Sequence, residues 1–345
     1  MIDWVTAKIP FPHPPIKAGL RIDVCPNGEV ERTLAKRLQV RGSHEASISV
    51  RSYGAEDQNL ASHLLIDGNP SKFLQGHNAF GSDDLISLIT DTVKKIAKAL
   101  ELNIASSSLK HIEQGDYEIS RLDINYSWQL PSRGDVRAWI RAAEFKSKTR
   151  HGRPSSRSGT LYWGKHSKRW SLKAYSKGDE LESTKAHRLP IGLEDTPIKG
   201  WTDNKLRIEL TLRSNQLREM NAHLASYWTE QNIKQTYDEY IGKLEMNEQM
   251  ALSSKQLLEL PNKLRSTYIL WSSGHDLRST LPKNTYYRHR RELLEYNIDI
   301  NIRVDQTDTT NVVPLVKVLE AVPCNVPHWA FEKKLVHQSA RRAIC

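Results

Sequence analysis

The stretch KRWSLKAYSKGDELE, Lys168 to Glu182, alternates apolar and polar side chains as far as Tyr175 and then turns sharply polar. Alternation of period two is the mark of a strand with one buried face. Trp170, Leu172 and Ala174 fall on one side, and Ser171, Lys173 and Tyr175 on the other. Two further stretches repeat the pattern. In SRLDINY, Leu122, Ile124 and Tyr126 oppose Arg121, Asp123 and Asn125; in KLRIELTLR, Leu206, Ile208, Leu210 and Leu212 oppose Arg207, Glu209, Thr211 and Arg213. If these strands are neighbours, one face of one sheet carries Asp123, Glu209 and Tyr175.

Working outward, the period changes at Asp84. Leu85, Ile89, Val93, Ile96 and Leu100 recur at helical spacing, with Ser82 or Asp83 as candidate caps. RGDVRAWIRAAEF reads as a second helix, and a basic linker, KSKTRHGRPSSRSG, leads into a hairpin, TLYWGKHSKRWSLKAYSK. Strands and helices mix to about residue 232, and helical patterns predominate beyond it. The expected architecture is α+β: an antiparallel-sheet domain over residues 1–232 with helices on one face, and a mainly helical region over 233–345.

A chain of 345 residues with 38% hydrophobic residues has enough material for a sizeable core. Its net charge of +10 points to a polyanionic partner without choosing among nucleic acid and membrane surfaces. Cys25, Cys324 and Cys345 are scattered, with no CxxC pair, which argues against a disulfide framework or a thiolate zinc site and for a reducing cytoplasm. No apolar run is long enough to span a bilayer.

The proposed polar face has a chemical use. Carboxylate oxygens at Asp123 and Glu209 suit a hard ion such as Mg²⁺ or Mn²⁺, which polarises a phosphodiester. His77, in KFLQGHNAFG, is a third candidate ligand. Tyr175 is a candidate nucleophile; Lys173 shares its strand face as a candidate catalytic residue, and Lys177, just beyond, is placed to neutralise a scissile phosphate or a phenolate. Glu180 is a further candidate ligand or base, of unpredictable direction after Gly178. The bland reading stands beside this one: Tyr175 as an ordinary strand aromatic, and the carboxylates as solvated partners of nearby arginines.

These residues resemble those of the replication initiation endonuclease of filamentous bacteriophages, the II/X-type phage replication protein family. The matching features are MID at the start, KFLQGHNAFG at 72–81, ISRLD at 119–123, LKAYSK before the polar turn, LRIEL at 206–210 and TNVVPLV at 310–316. The three-strand layout is also similar to plasmid rolling-circle initiators with RLD, Y.K..E and R.E elements, in which acidic strand residues hold the divalent ion. The histidine-hydrophobic-histidine metal motif of many rolling-circle nucleases is missing. The resemblance implies nicking of one strand of phage origin DNA through Tyr175, a covalent 5′-phosphotyrosine, a 3′-hydroxyl primer and later rejoining of the displaced strand. It also implies double- and single-stranded origin DNA as partners, host helicase and single-strand-binding protein in attendance, and the bacterial host cytoplasm as location. A metal-dependent hydrolytic nuclease and a non-catalytic origin-binding regulator are the alternatives.

For DNA contacts, Arg121 and Arg207 lie on the polar strand faces. Arg150 and Arg153 lie in the linker, expected to be flexible, and Arg288, Arg290 and Arg291 in YYRHRRE, where Tyr286 or Tyr287 is placed to stack on an unpaired base. No spacing identifies the base-reading element or the oligomeric state.

Overall fold

The computed structural model describes residues 1–54, 60–184, 187–246, 257, 259–296, 298, 300–301 and 315–339. Most of the TNVVPLV stretch, and Cys345 with the last arginines, lie outside the described residues.

The strands are, in chain order, β1 (Ile2–His13), β2 (Leu20–Val24), β3 (Val30–Ala35), β4 (Leu38–Arg41), β5 (Ser47–Tyr53), β6 (Ala61–Gly68) and β7 (Glu118–Gln129). They continue with β8 (Ser147–Lys148), β9 (Ser155–Arg157), β10 (Thr160–Trp163), β11 (Trp170–Ser176), β12 (Lys205–Arg213) and β13 (Glu245–Met246). Nine of them form one sheet in the order β4-β5-β6-β1-β7-β12-β11-β10-β9, every neighbouring pair antiparallel. The three strands read from the sequence, β7, β12 and β11, are its consecutive inner strands.

The helices around the sheet are α1 (Pro70–Gln75), α2 (Leu85–Ala99), α3 (Ser106–Gln114), α4 (Arg133–Lys146), α5 (Lys177–Ser183), α6 (Ile198–Thr202), α7 (Ser214–Glu219) and α8 (Glu230–Ile241). The apolar strand faces build the core: Leu122, Ile124, Leu172, Ala174, Leu206, Ile208, Leu210 and Leu212 have no solvent contact. Side chains of α2, α3, α4, α7 and α8 join the same cluster. In α2 the residues at helical spacing, Leu85, Ile89, Val93 and Ile96, are fully buried, each contributing about 1.5–3 kcal/mol relative to exposure. Its cap is Asp84, whose carboxylate accepts the Ser87 N–H. Ser82 instead accepts the Asp84 N–H, and Asp83 receives the Tyr126 hydroxyl. The α8 side chains Ile233, Tyr237 and Tyr240 pack in the sheet's core, which therefore runs past residue 232.

The basic linker is built into the fold. Trp163 donates to the Ser147 hydroxyl, and the rings of His151 and Trp170 meet at 4.6 Å. The Arg150 guanidinium stands over the same indole. Aromatic packing absorbs a segment whose composition alone suggested flexibility.

Beyond the sheet, helices Asn262–Ser272, Leu277–Thr280 and Lys283–Leu294 touch one another and close a separate apolar cluster around Leu264, Trp271, Tyr286 and Leu293. The chain then returns to the sheet domain. Cys324 N–H donates to Ser127 O, Trp128 Nε1 to Ala321 O, and Trp329 packs on Phe80.

Candidate active site

Register places the polar side chains in rows across β11, β12 and β7. Lys173 pairs with Glu209, and Glu209 with Asn125; one row on, Tyr175 pairs with Arg207, and Arg207 with Ser127. On the other side, Ser171 pairs with Thr211, and Thr211 with Asp123. Paired residues share a sheet face, so Tyr175, Lys173, Glu209, Asn125 and Asp123 form one polar surface.

Tyr175 is the last residue but one of β11, because Ser176, which ends the strand, caps a helix. Ser176 Oγ accepts the Asp179 N–H and starts α5. The backbone is tight here: a Cβ on Gly178 would lie 2.7 Å from Asp203 O, so glycine alone fits against that carbonyl. The turn of α5 returns Glu180 onto Lys177, settling a direction the sequence left open.

Tyr175 is 3% exposed. Its hydroxyl donates to Glu209 Oε2 at 3.5 Å, and Lys173 Nζ lies 4.5 Å from its ring centroid and 3.3 Å from the same carboxylate oxygen. Burial first, and then the charges of Glu180 and Glu209, push the phenol well above its ordinary value. Burial lifts Glu209 to about 7, against the pull of Lys173 and with the help of Asp3, Asp123 and Glu180. Lys173 is held above its usual value by Glu209 and Glu180 in spite of burial.

Asp123 is gripped by Arg121 through two bonds, Nε to Oδ1 at 2.9 Å and Nη2 to Oδ2 at 2.6 Å, yet burial leaves its carboxyl raised. Asn125 is 1% exposed, and neither its Oδ1 nor its Nδ2 has a hydrogen-bond partner. An orphaned buried amide between two carboxylates is an unmet demand for a ligand or water. Asp3 joins the same electrostatic neighbourhood, accepting from Asn69 at 2.6 Å and Asn78 at 3.0 Å.

Several expected roles change. His77 is not available as a metal ligand: its Nδ1 accepts the Ala79 N–H and its Nε2 donates to Leu335 O, while burial lowers it to about 4. Lys177 is 1% exposed and committed to Glu180 and, at 2.9 Å, to Asn78. It holds Glu180, despite burial, down to about 2. Lys177 therefore braces the site, and Lys173 is the cation beside the phenol.

Arg207 also departs from a DNA-contact role. It is 1% exposed and donates to Ser127 Oγ at 3.0 Å, to Asn78 O at 2.6 Å and to Ala79 O. Its guanidinium pins the GHNAF loop to the sheet. Arg121 is spent largely on Asp123, whereas Arg150, Arg153, Arg288 and Arg291 are exposed and Arg290 is partly buried.

Among the described residues, no three His, Cys, Asp or Glu side chains converge closely enough to cage an ion. The donor set is two carboxylates and an orphaned amide. That suits a cation such as Mg²⁺, which retains several waters and needs only one or two protein carboxylates.

In the sequence Asn125 falls on this face with no task of its own, and Asp3 stands in the opening MID as a charge in an apolar run. The signal for Asn125 was its alternation with Leu122 and Ile124. Asp3 carried no such signal, because a β-bulge between Ile2 and Trp4 breaks the period that would have shown its direction.

Fold and site together define an α+β protein with a carboxylate-bearing polar face on the inner strands of an antiparallel sheet. The chain belongs to the phage replication-associated protein family. It matches that family's N-terminal model over residues 1–231 and its C-terminal model over residues 252–336. It is 46% identical over 328 residues to the replication-associated protein of Enterobacteria phage I2-2, covering 95% of each chain. It is 23% identical over 349 residues to the replication-associated protein of Enterobacteria phage M13, covering 85% of this chain and 83% of that one. No solved structure matches it.

Proposed function

We propose that this chain initiates phage replication as a nicking and rejoining enzyme, cutting one strand of origin DNA through Tyr175. The reading is carried by the adjacency of Tyr175, Glu209 and Lys173 on one largely buried sheet face, in a chain of a phage replication family.

In the cutting step the Tyr175 oxygen attacks phosphorus, and its proton passes to Glu209. A carboxylate near 7 is matched to accepting a proton at neutral pH. The phosphorus–O3′ bond breaks, the 3′ oxygen leaves and takes a proton from water to become a hydroxyl, and the 5′ phosphate stays on Tyr175. Lys173 sits where it would offset charge on the phenolate and phosphate. Because one phosphodiester replaces another, a 3′-hydroxyl can reverse the step. Mg²⁺ or Mn²⁺, held by Asp123 and Asn125 Oδ1 with Glu209 left to take the proton, would supply charge stabilisation to the phosphate. Lys177, Arg207 and Asn78 keep the surrounding loop in place.

Origin DNA in double- and single-stranded form is the proposed partner, with host helicase and single-strand-binding protein acting on the product in the bacterial cytoplasm. Among the described residues, no helix is long and apolar enough to cross a membrane.

The test uses labelled single-stranded DNA carrying the nick site, with Mg²⁺ or Mn²⁺. A product whose 3′ end is extended by a polymerase, and whose 5′ end runs with protein on a denaturing gel, is expected. Two free ends would favour a hydrolytic nuclease, and no cleavage despite specific binding would favour a regulator.

A further inference from the structure

The three-helix cluster beyond the sheet has the order of a helix-turn-helix unit. Helix Asn262–Ser272 packs against a pair, Leu277–Thr280 and Lys283–Leu294, joined only by Leu281 and Pro282. Asp276 caps the first of the pair through the Arg278 N–H, and Pro282 sets the start of the second. Tyr286, His289 and Leu293 form the buried side of helix Lys283–Leu294, with His289 Nδ1 hydrogen bonded to Thr267 Oγ1 at 2.8 Å.

The opposite side is a single stripe. Asn284, Tyr287, Arg288 and Arg291 stand at i, i+3, i+4 and i+7, all exposed, Tyr287 by 52%. None is acidic. Seven residues of helix rise about 10 Å, close to three base-pair steps along one strand. Arginine can pair with the O6 and N7 of guanine and asparagine with the N6 and N7 of adenine, both in the major groove. A patch meant only for phosphate would need neither the amide nor the tyrosine.

We infer that helix Lys283–Leu294 is a recognition helix that enters the DNA major groove and reads base edges through Asn284, Arg288 and Arg291. This assigns base reading to the C-terminal cluster and chemistry to the sheet. It rests on the DNA-binding part of the reading above and not on the chemistry of Tyr175.

The experiment selects bound sequences from a randomised duplex library at one fixed salt concentration. It uses the full chain with Tyr175→Phe, so that cleavage plays no part. Asn284→Ala and Arg291→Lys are then added separately; the second keeps the charge and loses the fork geometry. The parent is expected to enrich a motif, and each variant to lose preference at one base pair within a three-base-pair window by on the order of tenfold. An unchanged circular dichroism spectrum and urea midpoint in each variant show that the cluster is folded. A shift in base preference with either variant supports the inference. No enriched motif, or one unchanged in both variants, overturns it. Absence of a Tyr175 adduct in the unsubstituted chain would overturn the proposed chemistry and leave these base preferences standing.

Discussion

On the sheet, Asp123, Glu209 and Lys177 are buried, Lys173 is half-buried, and all four are held by opposite charges of the fold. On helix Lys283–Leu294, by contrast, Asn284, Tyr287, Arg288 and Arg291 stand in solvent. The first arrangement shifts proton affinities, because burial penalises the charged form of each carboxyl and neighbouring carboxylates add to it. The second leaves charges free to meet phosphate or a base edge. On the proposed reading, one basic chain separates reactivity from attachment by burial.

The separation is broken most severely at Tyr175. Tyr175→Phe should lower DNA cleavage by about 10³-fold or more, with duplex affinity unchanged, measured by gel and by anisotropy. Glu209→Gln should lower cleavage by roughly 10²–10⁴-fold, the scale of a lost general base.

Glu209→Gln also tests linkage in metal-free protein. Glu209 is raised in the fold to about 7, so its contribution is full below its unfolded value and is lost as pH rises toward 7. His77 is lowered to about 4, so its contribution is present above its unfolded value and is lost as pH falls toward 4. Between about pH 4.5 and 6.5 the two slopes oppose. Glu209→Gln should therefore leave stability falling more steeply with acid than in the unsubstituted chain, read from urea unfolding across that range.

Arg207→Ala removes a buried guanidinium from Ser127, Asn78 and Ala79 and should cost about 3 kcal/mol or more in urea unfolding. An Arg207 that contacted DNA instead would show its loss in binding. The smallest effect is expected at Arg150→Ala, a surface cation: a few-fold loss of duplex affinity and a salt slope reduced by about 1, with sequence preference unchanged.

The alternation around Tyr175, Asp123 and Glu209 made the three inner strands and their shared polar face legible in the sequence, because a period of two fixes the face once strands pair. Side-chain partners were not legible. Arg207 has the same period and type as a DNA-facing arginine, and only the fold shows that the GHNAF loop covers it. His77 lost its ligand role to a backbone carbonyl 258 positions away, a contact that no local pattern encodes. Asn125 became informative only when its amide was seen buried and unsatisfied.

The central claim is that Tyr175 joins the 5′ phosphate of the cut strand. Peptide mass spectrometry of the nuclease-trimmed complex formed with Mg²⁺ and single-stranded origin DNA tests it most directly. The expected result is a nucleotide mass on Tyr175 that transfers to an added 3′-hydroxyl oligonucleotide. Cleaved DNA with an unmodified Tyr175, or the adduct on another residue, would contradict it.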